Sequence, residues 1–396
     1  MTNNTEPAPA VLLGGQASAL SAARALGRRG IAVHAFAESP IPTPVCRSRY
    51  VASAVSVVPD EIAPQWFDAL KRAHRPAVLI ACGDNGLEFI ARHRAEIEAM
   101  GHRAQEANDD LLLAMLDKGR AAERFADVGA DAPLTRRIHD SDDAAEVASR
   151  FRFPLALKPI HSHRSTLKEM AVIVDSPDEL IAVWTAVEAP SGGVLATEIV
   201  PGPDDSFCSY YSYFDEHGAP LLHLTKRKLR QLPIHFGTGT YHVTHDEPEA
   251  AELGLRLFTA LGLRGLGNVE FKRDARDGTL KVIECNLRIT AANEQIRIAG
   301  IDLAWFSYCR VTGDQLPDTS NFRSSVRQWH PVEDVRAFRD YRKAGELTFW
   351  RWVRSLAHRQ HLAVFSFRDP MPALGSFWPF LGRLWRAVRG RFRRGM

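Results

Sequence analysis

Along the first hundred residues, short apolar runs alternate with longer stretches of helical texture. Val11-Leu12-Leu13 leads into Gly14-Gly15 and an alanine-rich stretch that ends near Arg29-Gly30. Ile31 to Phe36 and Val78 to Ala81 repeat the apolar-run signature, and Gly83-Asp84-Asn85-Gly86 makes the turn into another helix. Apolar runs separated by helical stretches predict a small parallel sheet with helices on its faces. At Asn108-Asp109-Asp110 a new helix begins, capped by those side chains. From Phe153 the texture turns to strands: Leu155 to Lys158, Ala171 to Val174, Leu195 to Val200, Phe207 to Phe214 and Leu221 to Thr225. That middle portion reads as α+β and mostly antiparallel. After about Arg310 the chain becomes rich in arginine and carries Trp329, Trp350, Trp352, Trp378 and Trp385.

A chain of 396 residues exceeds one ordinary core, so two or three packed units are expected. Hydrophobic residues at 45% and charged residues at 24% fit an ordinary globular protein. A net charge of +3 gives the whole molecule no strong attraction to nucleic acid. The five cysteines, Cys46, Cys82, Cys208, Cys285 and Cys309, are dispersed without a CxxC pair. That pattern argues against a disulfide framework or a zinc site and suits a reducing compartment. The opening residues lack the basic and apolar regions of a signal peptide, and no apolar run reaches the ~20 residues of a membrane span. A cytoplasmic protein is expected.

Gly14-Gly15, between a strand and a helix and with Glu38 further on, has the setting of a dinucleotide loop, but the GxGxxG fingerprint is incomplete. The competing reading is a tight strand-to-helix turn, which such glycines serve equally well. A stronger pattern lies in Gly267 to Lys272 and Leu280 to Arg288, joined through Asp277-Gly278, which is good hairpin-turn chemistry. Alternation along a strand puts Glu284 and Asn286 on one face. A hairpin centred near Asp277 sets Glu270 opposite Glu284. Two carboxylates and an amide oxygen on rigid strands suit a hard divalent cation, while a polar strand face meeting solvent is the alternative.

Four motifs occur in order: Asp117-Lys118, Phe153 to Pro159, Glu198-Ile199-Val200-Pro201-Gly202, and Val282 to Arg288. Their order and separations resemble the ATP-grasp superfamily over roughly Asn108 to Arg310. The stretch Thr225 to Pro233, followed by Gly237-Thr238-Gly239-Thr240, is similar to carboxylate–amine ligases of the D-aspartate ligase type. The resemblance implies an α/β pre-ATP-grasp domain (residues 1–107), an α+β ATP-grasp domain (108–312, with subdomains 108–196 and 197–312) and a helical, basic C-terminal extension (313–396). It implies that Lys118 and Lys158 face the ATP phosphates, that Glu198, Ile199 and Val200 form the adenine hinge, and that Asp205 lies near the ribose, with Asp204 as close in sequence. Glu270, Glu284 and Asn286 match its Mg2+ ligands. Arg288, Lys228 and Arg230 are the expected catalytic groups for an ADP-forming union of a carboxylate with an amine. His161 to Thr166 departs from the family's glycine-rich phosphate loop, and Asn286-Leu287-Arg288 departs from its Asn-Pro-Arg.

No GxSxG or catalytic-cysteine pattern competes with this reading. His235 and His242 flank the glycine turn and are left out of the expected site. From Phe377 onward, aromatic and aliphatic residues interleave with six arginines, and no acidic residue follows Asp369. Such a segment suits either peripheral contact with the inner face of a membrane or packing on the body of the protein. Small carboxylate and amine substrates are the expected partners, nucleic acid is not, and a homodimer is compatible with the sequence. The rival functions are an NAD(P)-dependent oxidoreductase using the N-terminal glycines and a catalytically silent ATP-binding module at a membrane.

Overall fold

The computed structural model describes residues 6–39, 43–58, 61–160, 171–186 and 194–375. The loop His161 to Thr166 and the segment from Phe377 onward lie outside them. The chain forms two compact units, Met1–Gln105 with Arg288–Asp318 and Leu362–Met396, and Glu106–Leu287 with Thr319–His361. The first junction falls within two residues of the sequence expectation. The second differs, because residues 288–312 join the first unit and residues 319–361 join the second. Among the described residues, no helix is long and apolar enough to cross a membrane.

The first unit is built on a five-stranded parallel sheet in the order Ser53–Ser56, Val33–Ala37, Ala10–Leu13, Val78–Ala81 and Arg103–Ala104. Ala10–Leu13 and Val78–Ala81 are buried along their whole length, as strands covered by helices on both faces must be. The alanines of helix Ala17–Gly27 allow close packing, and Ser18 to Leu26 are all buried. Arg24 within it would be a costly buried charge, but Asp369 pairs with it at 2.9 Å. Its Nη2 also donates to the Val364 and Asp369 carbonyls, so residues 364–369 are tied to this unit. The two outer strands are a four-residue Ser-Ala-Val-Ser run and a two-residue pairing, too short or too polar to read from periodicity.

The second unit contains two sheets. The smaller is antiparallel, in the order Thr135–Ile138, Val194–Glu198, Leu155–Pro159 and Val172–Val174. Its core gathers Ile138, Ala144, Val147, Leu155, Val174, Leu180 and Ala196. The larger sheet runs Leu280–Asn286, Gly265–Arg273, Phe207–Phe214, Pro220–Leu232, Thr238–Thr244, Arg327–Trp329 and Gln360–Leu362. Helix Pro248–Ala260 packs on one of its faces, where Gly254 lies so close that an added Cβ would stand 2.3 Å from the Tyr210 ring.

The other face is polar, and its registers show why. Direct cross-strand partners point to the same side of a sheet. One row across the strands is Glu284, Glu270, Ser209, Lys226 and Thr244. The next is Lys272, Phe207, Lys228, His242 and Gln328. The basic run at residues 225–233 is therefore part of a central strand with buried lysines, not an exposed edge.

A bulge interrupts the alternation: Lys228 pairs with His242 and Arg230 with Tyr241, leaving Leu229 as the extra residue. Arg230 is thereby turned to the opposite face from Lys228. There its guanidinium stacks 4.4 Å from the Tyr241 ring and pairs with Asp334 at 2.7 and 2.9 Å. Asp334, on helix Pro331–Lys343, also accepts from Thr240 Oγ1 (3.0 Å), Trp329 Nε1 (2.9 Å) and Trp352 Nε1 (2.9 Å). One fully buried carboxylate thus anchors helices Pro331–Lys343 and Phe349–Ser355 to the large sheet.

Candidate functional site

A cleft of about 380 Å³ opens within the second unit, of a size that suits small-molecule sites. Both sheets contribute to it. From the small sheet and its surroundings come Lys118, Ala156, Lys158, Glu198, Ile199 and Val200. The large sheet's polar face contributes Phe207, Lys228, Gln231, Glu270, Lys272 and Glu284.

Lys118 opens helix Lys118–Asp127, and its backbone N–H donates to the Ile160 carbonyl (3.3 Å), beside the end of strand Leu155–Pro159. Asp117 caps this helix through the amides of Gly119 (2.9 Å) and Arg120 (3.0 Å), and Arg137 pairs with it. Burial, followed by the neighbouring Lys118 charge, pulls the Lys158 ammonium down to about 8, while Glu284 opposes the shift. Two lysines facing one cleft repel each other until an anion arrives. Glu198 ends its strand and its Oε1 accepts from the Arg152 amide (2.9 Å), so Ile199 and Val200 supply the apolar wall.

On the large sheet, Glu270 and Glu284 are direct cross-strand partners, with a bulge just beyond Glu270. Lys228 Nζ lies 2.8 Å from Glu270 Oε2, 3.2 Å from Gln231 Oε1 and 4.1 Å from the Phe207 ring centroid. Deeper in the same face, Lys226 Nζ is 3.4 Å from His242 Nδ1. Burial pulls Lys226 down to about 8 and drives His242 well below its usual value, so that imidazole stays neutral near pH 7. Gln231 is almost fully buried and its Nε2 has no hydrogen-bond partner among the described residues, which leaves a donor available at the cleft wall. Among the described residues, no cluster of three or more His, Cys, Asp or Glu side chains has the arrangement of a metal site.

The cleft therefore collects Lys118, Lys158, Glu198, Ile199, Val200, Lys228, Glu270 and Glu284 from the sequence-based set. Four members lie elsewhere. Asn286 pairs with Asn268, two residues along from Glu284, and is not part of the lining. Arg230 is on the other face of the sheet because of the Leu229 bulge. Asp205 is exposed and lines a second cavity with Arg230, as does Asp204, which is buried and holds the His235 amide at 2.9 Å. Arg288 belongs to the first unit, since the chain leaves the large sheet after Asn286 and the Ile289 amide bonds to the Ala81 carbonyl. In that unit its Nε pairs with Asp84 at 2.5 Å. Sequence reading did not single out Phe207, Gln231 or Lys272. Only the register and the bulge place them at the cleft, and neither can be seen as a motif.

The N-terminal glycine turn holds the chain's own carboxylate. Glu38 accepts from the Gly15 amide (3.1 Å) and from Asn85 Nδ2 (3.2 Å), and burial raises its carboxyl above the usual range. An amide already bonded to a carboxylate offers no open cradle for a dinucleotide phosphate. Gly14 has φ +69°, and a Cβ there would stand 1.6 Å from Glu38 Oε1. Gly14→Ala is therefore expected to lower stability by about 1–3 kcal/mol in chemical denaturation, from backbone strain and displacement of Glu38. An unchanged midpoint would show that the turn relaxes freely.

No protein-family model matches the chain. It is similar to a D-aspartate ligase of Enterococcus faecium (strain Aus0004), 24% identical over 285 residues that cover 68% of this chain and 67% of that one. It is also similar to D-alanine–D-alanine ligase B of Pseudomonas syringae pv. tomato, 26% identical over 184 residues, 43% of this chain and 54% of the relative. Among solved structures, a biotin carboxylase complex from Campylobacter jejuni matches with a TM-score of 0.64 at 15% identity, covering 82% of this chain and 75% of that one. An N-terminal parallel α/β unit, two sheets that both line one cleft, and these likenesses lead to one assignment: the chain has the ATP-grasp fold and is similar to D-aspartate ligase.

Proposed function

We propose that this protein is an ATP- and magnesium-dependent ligase that activates a carboxylate as an acyl phosphate and joins it to an amine, releasing ADP and phosphate. The observation that carries this reading is the cross-strand pairing of Glu270 with Glu284 in a cleft that also contains Lys118, Lys158 and Lys228. Lys118 and Lys158, with the Lys228–Glu270 pair beside them, suit a polyphosphate, and Gln231 Nε2, without a hydrogen-bond partner among the described residues, points to a polar ligand. Magnesium commonly takes one or two protein carboxylates and fills its remaining positions with water and phosphate oxygens, so Glu270 and Glu284 fit it. When bound, the ion neutralises charge developing on the transferred phosphoryl group.

In this reading Lys118 and Lys158 hold phosphate oxygens, and Ile199 and Val200 cover the base. A carboxylate oxygen of the first substrate attacks the γ-phosphorus as the bond to the β-phosphate oxygen breaks, and ADP leaves. The amine nitrogen then attacks the acyl carbon, the carbon–oxygen bond to phosphate breaks, and the nitrogen gives up a proton to water. Lys228 is held by Glu270 and Gln231 where it can balance negative charge during the transfer. The protein acts through positioning and electrostatics, without a covalent enzyme intermediate.

An ADP-release screen with magnesium over amino acids and small carboxylates tests the proposal. At least one carboxylate–amine pair is expected to raise ADP release above the ATP-only rate. ATP binding with no stimulation by any pair would instead favour a silent nucleotide-binding module.

A pH dependence follows from Lys158. Its ammonium is charged below about 8 and neutral above, so phosphate attraction is present at pH 7 and fades as pH rises through 8. Nucleotide affinity measured by calorimetry is expected to fall between pH 7 and 9. Lys158→Arg keeps its charge throughout and should flatten that fall. An equally steep decline in the variant would remove Lys158 as the cause.

A further inference from the structure

We propose that helices Pro331–Lys343 and Phe349–Ser355 form a docking face for an anionic lipid bilayer. This inference is independent of the ligase reading.

Phe338 and Trp352 stack at 4.7 Å between the two helices, and the Trp352 indole is held inward by Asp334. Two residues along a helix differ by about 200° in direction, so fixing Trp352 inward turns Trp350 outward. Trp350 is 75% exposed, with Phe349 at 45% and Val353 at 38% beside it. These side chains cannot rotate into the core without breaking the Asp334 anchor. A groove of about 600 Å³ between the helices is lined by the Phe338–Trp352 stack and by Arg339, Arg342 and Lys343. Arg336, Arg351 and Arg354 extend the same character, and all six cations are exposed. Among the described residues, none of the six takes part in an ion pair.

Large exposed aromatics among unpaired cations call for a partner that supplies both apolar volume and negative charge. A second copy of this face would press cation on cation. The segment 376–396, with six arginines and no acidic residue, carries the same sign and is a poor occupant. Nucleic acid supplies phosphates and stacking bases but little for Val353. The headgroup boundary of an anionic bilayer accepts tryptophan, aliphatic and guanidinium groups together.

Vesicle flotation of the full-length chain tests this. Binding is expected to phosphatidylglycerol-containing vesicles, with little to phosphatidylcholine alone and with release as salt rises. Trp350→Ser and the double variant Arg351→Glu/Arg354→Glu should each lower the partition coefficient by about tenfold or more while leaving thermal melting unchanged. No binding to anionic vesicles, equal binding by parent and variants, or tighter binding to a single-stranded oligonucleotide than to the vesicles would each overturn the proposal.

Discussion

Glu284→Gln is expected to lower nucleotide turnover by about 10²–10³-fold, equivalent to roughly 3–4 kcal/mol of lost transition-state stabilisation. The effect should be on turnover far more than on folding. Glu284 is exposed at the cleft side of its strand, and glutamine keeps its shape. Glu270→Gln offers an informative contrast. Glu270 is largely buried and lies 2.8 Å from Lys228, so neutralising it also leaves that ammonium without its carboxylate. The second variant should therefore lose comparable activity and some stability as well. Magnesium dependence of ADP release should shift to higher concentration in both. Turnover within threefold of the parent in Glu284→Gln would refute the assignment of this pair to a cation.

Asp334→Ala should be the most destabilising single change in the second unit, at about 3–5 kcal/mol. The substitution removes five hydrogen bonds and leaves the buried Arg230 guanidinium, among the described residues, with Ser355 Oγ as its one side-chain hydrogen-bond acceptor beside the Tyr241 ring. An orphaned buried charge costs more than the pair contributes, because nothing replaces the water it has lost. Asp334→Asn should fall between, since an amide oxygen still accepts but the charge is gone. Differential scanning calorimetry reads both, and a drop of less than one kcal/mol for the alanine variant would show that the helices are held mainly by the Phe338–Trp352 packing.

Much of this architecture is legible in the sequence. Burial on both faces made Val11 to Leu13 and Val78 to Ala81 readable as parallel strands, and Asn108 accepts from the Leu111 amide as a helix cap should. The hairpin register followed from Asp277-Gly278, where Gly278 takes φ +77° in the turn. The differences have equally specific causes. The resemblance named Lys228 and Arg230 together, but a single extra residue, Leu229, turns Arg230 to the opposite face of the sheet. The resemblance set Arg288 with Glu284, but the chain passes from one unit to the other between Leu287 and Arg288. Such events depend on contacts with distant residues, which a window of neighbouring positions does not contain.

The threading of the chain between its units has a consequence for synthesis. The large sheet takes its final strand from Gln360–Leu362, after 359 of the 396 residues have been made. Arg24, near the start, meets its counter-ion only when Asp369 emerges. A nascent chain therefore leaves the ribosome with both units incomplete until these late residues emerge, and a premature stop anywhere before that strand strips parts from each.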